Sequence, residues 1–241
     1  MPLTQPFVDL SAQAPRCASP DDVVHTLRDA GTLLRTTDTP IPTPDEAAQW
    51  YSGVVRSVLA SPAGAALRGG SVAPTGALGR DEFLPGMTLC WVRRGRADTS
   101  ELSRVFAAAG IPSSPSDGDP VDLIDAGHFR PDGPDRILLE RAVEKRDDEL
   151  IPGIARWAAG ARAAARTRTP DRLVAGVAGG LLSGEEEAIL AGEWRAGLGR
   201  RLAQWRNEDD RGDDSPPEVV DVARRIAERN NISVATEGEW S

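Results

Sequence analysis

Lysine is almost missing from this chain of 241 residues: Lys145 stands alone, and arginine supplies every other strongly basic side chain. With the abundant alanine and glycine, that bias reads as the mark of a GC-rich genome rather than of a function. An excess of positive charge is also missing. The formal net charge is −9, which argues against a general nucleic-acid binder, since such proteins carry a basic face. Cysteine is confined to Cys17 and Cys90, far apart and without Cys-x-x-Cys or histidine spacing. That argues against a disulfide framework or a zinc site, and a reducing cytoplasm fits. No apolar run approaches the length of a membrane span, and the opening residues show no basic-then-apolar leader pattern. The expectation is a soluble cytoplasmic protein with neither nucleic-acid nor membrane partners. The length allows one large domain or two small ones.

The stretch with the most chemical information runs from Gly69 to Val92. It is glycine-rich, then alternates apolar residues, so it reads as strand, tight loop and strand. Gly76 and Gly79 let backbone approach a phosphate and present N–H groups to it. Arg80 is placed to pair with a phosphate, and Glu82 to brace Arg80 or the loop. Composition alone favours a plain strand-to-strand turn.

The order Gly76-x-x-Gly79-Arg80-x-Glu82, a short gap holding Pro85 and then a strand resembles the nucleotidyltransferase superfamily. The branch is that of the bacterial PII-protein uridylyltransferases and their signal-transduction relatives. The resemblance implies nucleotide binding by Gly76, Gly79, Arg80 and Glu82. In that family two metal-binding aspartates follow as Asp-x-Asp; here Thr88 and Cys90 take their places. A strand sets both positions on one face, so the geometry is kept and the charge is lost. Magnesium needs hard anionic oxygens, and neither a hydroxyl nor a thiol supplies one.

Elsewhere the pattern is helical. Residues 1–18 contain three prolines and no periodicity, which predicts an extended arm. Ser19-Pro20-Asp21-Asp22 and Thr43-Pro44-Asp45-Glu46 are helix starts ahead of apolar stripes. Asp98-Thr99-Ser100-Glu101 opens a third helix, closed by Gly110. The arginines 93, 94 and 96 read either as phosphate contacts or as a solvated turn, with the turn preferred. Residues 113–120 read as loop. Pro120 to Asp125 reads as a strand with alternating acids, which makes Asp122 and Asp125 candidates for a third superfamily carboxylate. His128 lies just beyond, in a loop. From Asp135 the elements are helices. Leu150-Ile151-Pro152, Thr169-Pro170-Asp171-Arg172-Leu173 and Gly180 to Glu187 resemble, in order, the C-terminal substrate-binding domain of the same family. Glu144 to Glu149 reads as solvated, 208–214 as a linker, and Ser215 to Glu218 as the cap of a last helix.

The expected fold class is α+β: a small mixed sheet with flanking helices over 19–134, then a helical bundle over 135–207, with 208–241 as linker, last helix and tail. The resemblance and the missing acids together imply a degenerate nucleotidyltransferase. Such a protein is a regulatory module binding a nucleoside triphosphate or a partner protein, with no cofactor. The alternative is an active enzyme, similar to PII uridylyltransferase, that moves a nucleoside monophosphate to a protein or small acceptor. It would hold magnesium through Glu82, Asp122 and Asp125. A scaffold that binds no nucleotide is the third reading.

Overall fold

The computed structural model describes residues 4–36, 43–69, 72–93, 95, 98–116, 118–145, 149–162, 167–206 and 216–232. These form a mixed α and β structure dominated by helices, with one small sheet. Helix α1 covers Gln5–Gln13 and passes through a 3₁₀ turn at Ala14–Arg16 to α2 (Pro20–Arg35). The predicted extended arm is thus corrected to a helix. Phe7, Leu10 and Ala14 fall three and four residues apart and are buried, with the Phe7 ring edge-on to Trp50 at 4.6 Å. The prolines do not prevent this, because Pro6 sits in the first turn, where its missing N–H costs nothing.

Helices α2 and α3 (Pro44–Ala60) begin as their sequences require. Ser19 with Asp22, and Thr43 with Glu46, form reciprocal capping boxes. Ser61 caps the short α4 (Pro62–Arg68). The sheet follows: β1 (Val72–Pro74), a one-turn helix α5 (Gly76–Gly79), β2 (Leu89–Arg93), α6 (Ser100–Ala108) and β3 (Ser113–Ser116). β2 is central, antiparallel to β1 with Pro74 opposite Trp91, and parallel to β3 with Leu89 opposite Ser113.

Two assignments near β3 are exchanged relative to the sequence expectation. Ser113–Ser116 is a strand although its residues favour loops; its parallel pairing with β2, not propensity, makes it one. Pro120–Asp125 is helix α7 and not a strand. Asp119 accepts a hydrogen bond from the Val121 N–H at 3.0 Å, and Pro120 fills the first helical position. Asp-Pro is a helix start here, and it outweighs the alternation behind it.

The remaining helices are α8 (Arg136–Lys145), α9 (Leu150–Ala159), α10 (Thr169–Ala178), α11 (Gly184–Trp205) and α12 (Pro217–Arg229). α9 packs between α8 and α10, while α11 touches α10, α12 and α3. Buried apolar residues from Phe7 to Ile232 form a single cluster, so sheet and bundle share one core. In the alanine-arginine run α9 ends at Ala159, a 3₁₀ turn follows at Gly160–Arg162, and 163–166 lie outside the described residues. So do Arg94, Arg96, the linker at 208–214, Ser215 and the tail from 233 onward. No helix among the described residues is long and apolar enough to cross a membrane.

Candidate functional site

The glycine motif turns on α5. Gly76 has φ +58°, left-handed backbone that favours glycine. Gly79 is needed for closeness instead: a Cβ there would lie 2.7 Å from the Asp125 carbonyl oxygen. That contact lets α5 lie directly against α7 and aims Arg80 inward.

Arg80 is 2% exposed and Glu82 is completely buried. Arg80 Nε donates to Glu82 Oε2 at 2.9 Å, and Nη1 to Asp125 Oδ2 at 2.6 Å. The expected bracing of Arg80 by Glu82 is therefore present. Glu82 also receives the Thr169 N–H at 2.5 Å, the Thr169 hydroxyl at 2.8 Å and the Trp194 indole N–H at 3.2 Å. It thereby caps α10 and ties the sheet side to the helical bundle. Asp125 is equally buried; besides Arg80 it receives Arg156, through Nη2 at 2.8 Å, and Arg172 at 2.7 Å. Burial alone would raise the Asp125 pKa. The guanidiniums of Arg156, Arg80 and Arg172 outweigh it and hold the carboxyl far below the usual carboxylate range.

This cluster corrects part of the expected site. Asp125 is not a free carboxylate at a reaction centre, and Glu82 and Gly79 lie behind the site wall. Gly76 and Arg80 do line an open cleft, together with Thr88, Cys90, Asp119, Asp122, Glu149, Arg156, Trp194 and Arg201. Its volume is about 460 Å³, within the range of small-molecule sites.

Thr88 and Cys90 both face the cleft, while Leu89 and Trp91 between and beyond them are buried. Both positions line the cleft, but only Cys90 belongs to β2; Thr88 precedes the strand, which begins at Leu89. Burial pushes the Cys90 thiol up and outweighs the opposing Ser114 hydrogen bond, and the charges of Asp122 and Glu149 add to the rise. Cys90 thus offers a neutral sulfur. Asp122 lines the same cleft, and its carboxylate is already engaged: Oδ1 accepts from the Thr75 hydroxyl at 3.2 Å and Oδ2 from the Ser116 hydroxyl. A hydroxyl, a neutral thiol and one engaged carboxylate do not fit magnesium. Among the described residues no three His, Cys, Asp or Glu side chains group so as to hold a metal. His128 is exposed in the turn after α7, away from the cleft lining. Arg93 is exposed at the end of β2.

The sequence reading missed Arg156, Trp194 and Glu149. Arg156 sits in the most apolar helix of the chain, where a fully buried arginine announces a buried acid. Glu149, read as solvated, instead accepts from Arg156 Nη2 at 2.7 Å. Arg172 was visible only as part of a resemblance block, and its partner Asp125 lies 47 residues earlier. No family model, no curated protein and no solved structure matches this chain, so the meaning of the cleft has to come from its own residues.

Proposed function

We propose that the chain is a nucleotidyltransferase-like protein without metal-dependent transfer, a regulatory module whose cleft takes a nucleoside triphosphate. The observation that carries this is the cleft floor. Thr88 and Cys90 both line a volume of nucleotide size, where an enzyme of the resembled family needs two carboxylates. Trp194 gives the cleft an aromatic wall for a base, and Gly76 gives it a glycine-rich edge. Neither feature needs a cation. A partner protein reading the occupied cleft would complete the regulatory role.

The test is titration of the protein with each of the four ribonucleoside triphosphates, in EDTA and again with magnesium, following heat and tryptophan fluorescence. Binding of at least one triphosphate with the same affinity in both buffers is expected, with no label passed to lysate proteins. Absence of binding under every condition would leave only a scaffold. Magnesium-dependent label transfer that is lost on Asp122→Ala would establish the active enzyme instead.

A further inference from the structure

Glu149 is the one acid of the buried charge cluster that solvent can reach. Its side chain is 38% exposed, whereas those of Arg80, Glu82, Asp125, Arg156 and Arg172 are exposed by 2% or less. It reaches the cluster from the cleft side. One carboxylate oxygen lies 2.7 Å from Arg156 Nη2, and the other lies 3.9 Å from Arg80 Nη2. The first distance is a charge-assisted hydrogen bond; the second is an ion-pair contact too long for one.

The two guanidiniums are held from behind. Asp125 Oδ2 takes Arg80 Nη1 at 2.6 Å and Arg156 Nη2 at 2.8 Å, and Glu82 takes Arg80 Nε. Their positions therefore do not depend on Glu149. The Glu149 backbone is fixed as well, since its carbonyl accepts the Gly153 N–H at 2.8 Å at the start of α9. Only its side chain has to turn for the contact to open. With Glu149 in place, three guanidiniums face three carboxylates. With it turned away, a single positive charge is left over at the back of the cleft, bordered by Arg80 and Arg156.

We propose that the Glu149 carboxylate is an internal stand-in for a ligand anion: it occupies a seat formed by Arg80 and Arg156, and a phosphoryl group entering the cleft takes that seat by displacing it. This rests on the nucleotide reading of the cleft and adds where the phosphate end lies and what opposes it. Without Glu149 the buried cluster carries one positive charge in excess, which is costly, so Glu149 leaves only as another anion arrives. A phosphoryl group competes well, because it carries more charge and three acceptor oxygens against two. The loose contact to Arg80 leaves that side open for the larger group. Phosphate affinity is then set by one carboxylate, which holds the empty cleft neutral at its back wall.

The experiment compares the unaltered protein with Glu149→Gln by calorimetric titration with inorganic pyrophosphate, a nucleoside triphosphate and the matching nucleoside. Glutamine keeps the size and an acceptor for Arg156 but removes the competing charge. The expected result is roughly tenfold tighter pyrophosphate and triphosphate binding in the variant, with nucleoside binding unchanged. If Glu149→Gln does not fold by circular dichroism, Glu149→Asp draws the carboxylate back by one methylene and should move affinity the same way. Equal or weaker pyrophosphate binding by the folded variant overturns the inference; the nucleotide reading then survives if the unaltered protein still binds triphosphate. Failure of both proteins to bind either phosphate overturns the two together.

Discussion

A carboxylate with four donors is hard to replace, and Glu82 has four: Arg80, the Thr169 N–H, the Thr169 hydroxyl and Trp194, two on each oxygen. Glu82→Gln turns one oxygen into an NH₂ group aimed at donors and leaves Arg80 short of an anion. A loss of about 3–5 kcal/mol is expected, as when one partner of a buried ion pair is removed, measured by urea unfolding. A loss below about 1 kcal/mol would show that the cluster rearranges freely. The pH dependence follows from Glu149. Burial would raise its pKa, but Arg156 and Arg80 hold it below the usual glutamate value. A depressed pKa stabilises the fold above the unfolded value of about 4 and loses that contribution as pH falls through the folded value. The stability difference between the unaltered protein and Glu149→Gln should thus be constant from pH 8 to 5 and shrink below about pH 4. A difference that already changes between pH 8 and 6 would contradict the pairing. At this scale the sequence revealed the contact of Arg80 with Glu82, two residues apart. It could not reveal Asp125 as the hub, because its three arginines lie 45, 31 and 47 residues away.

Elements were legible wherever local chemistry decides them. The starts of α2, α3 and α11 each carry a Ser or Thr followed by an acid three residues on, and each is a capping box in the structure. The failures are local signals that tertiary contacts overrule, as at β3, or signals weighed wrongly, as with the Asp119-Pro120 start of α7. At α11 a single acid has two tasks. Glu186 closes the box with Ser183 and also accepts Arg229 of α12 at 2.9 Å, so it fixes the start of one helix and the end of another. Ser183→Ala is expected to cost about 1 kcal/mol, the usual worth of an N-cap. Glu186→Ala should cost more, since it removes the cap to the Ser183 N–H and also takes from Arg229 its carboxylate partner, leaving it only the Leu181 carbonyl. Equal losses in urea unfolding would mean that the tie to α12 contributes nothing to stability.

Across the whole molecule, the charge cluster and the cleft lie back to back. Gly79, Arg80, Glu82 and Asp125 join α5 and α7 to α9, α10 and α11, and the cleft opens on the side where Thr88, Cys90 and Asp122 converge. The wall that a nucleotide would lean on under the nucleotide reading is thus tied together from behind by buried ion pairs and hydrogen bonds. Under the proposed reading, it is the missing acids of the floor that limit metal chemistry. Replacing Thr88 and Cys90 together by aspartate puts two carboxylates on one face of the strand entrance, beside Asp122, and changes no residue of the cluster. Three anionic oxygen donors around one point are a set that magnesium or manganese accepts. The double variant should bind manganese measurably by calorimetry, where the unaltered protein shows little heat, and Asp122→Asn in that background should abolish the gain. Stability at neutral pH should fall in the metal-free variant, because three carboxylates repel one another in a partly enclosed cleft, and recover on adding the ion. Manganese held as tightly by the unaltered protein would mean that donors other than Thr88 and Cys90 already complete a metal site, so that the missing acids do not abolish it.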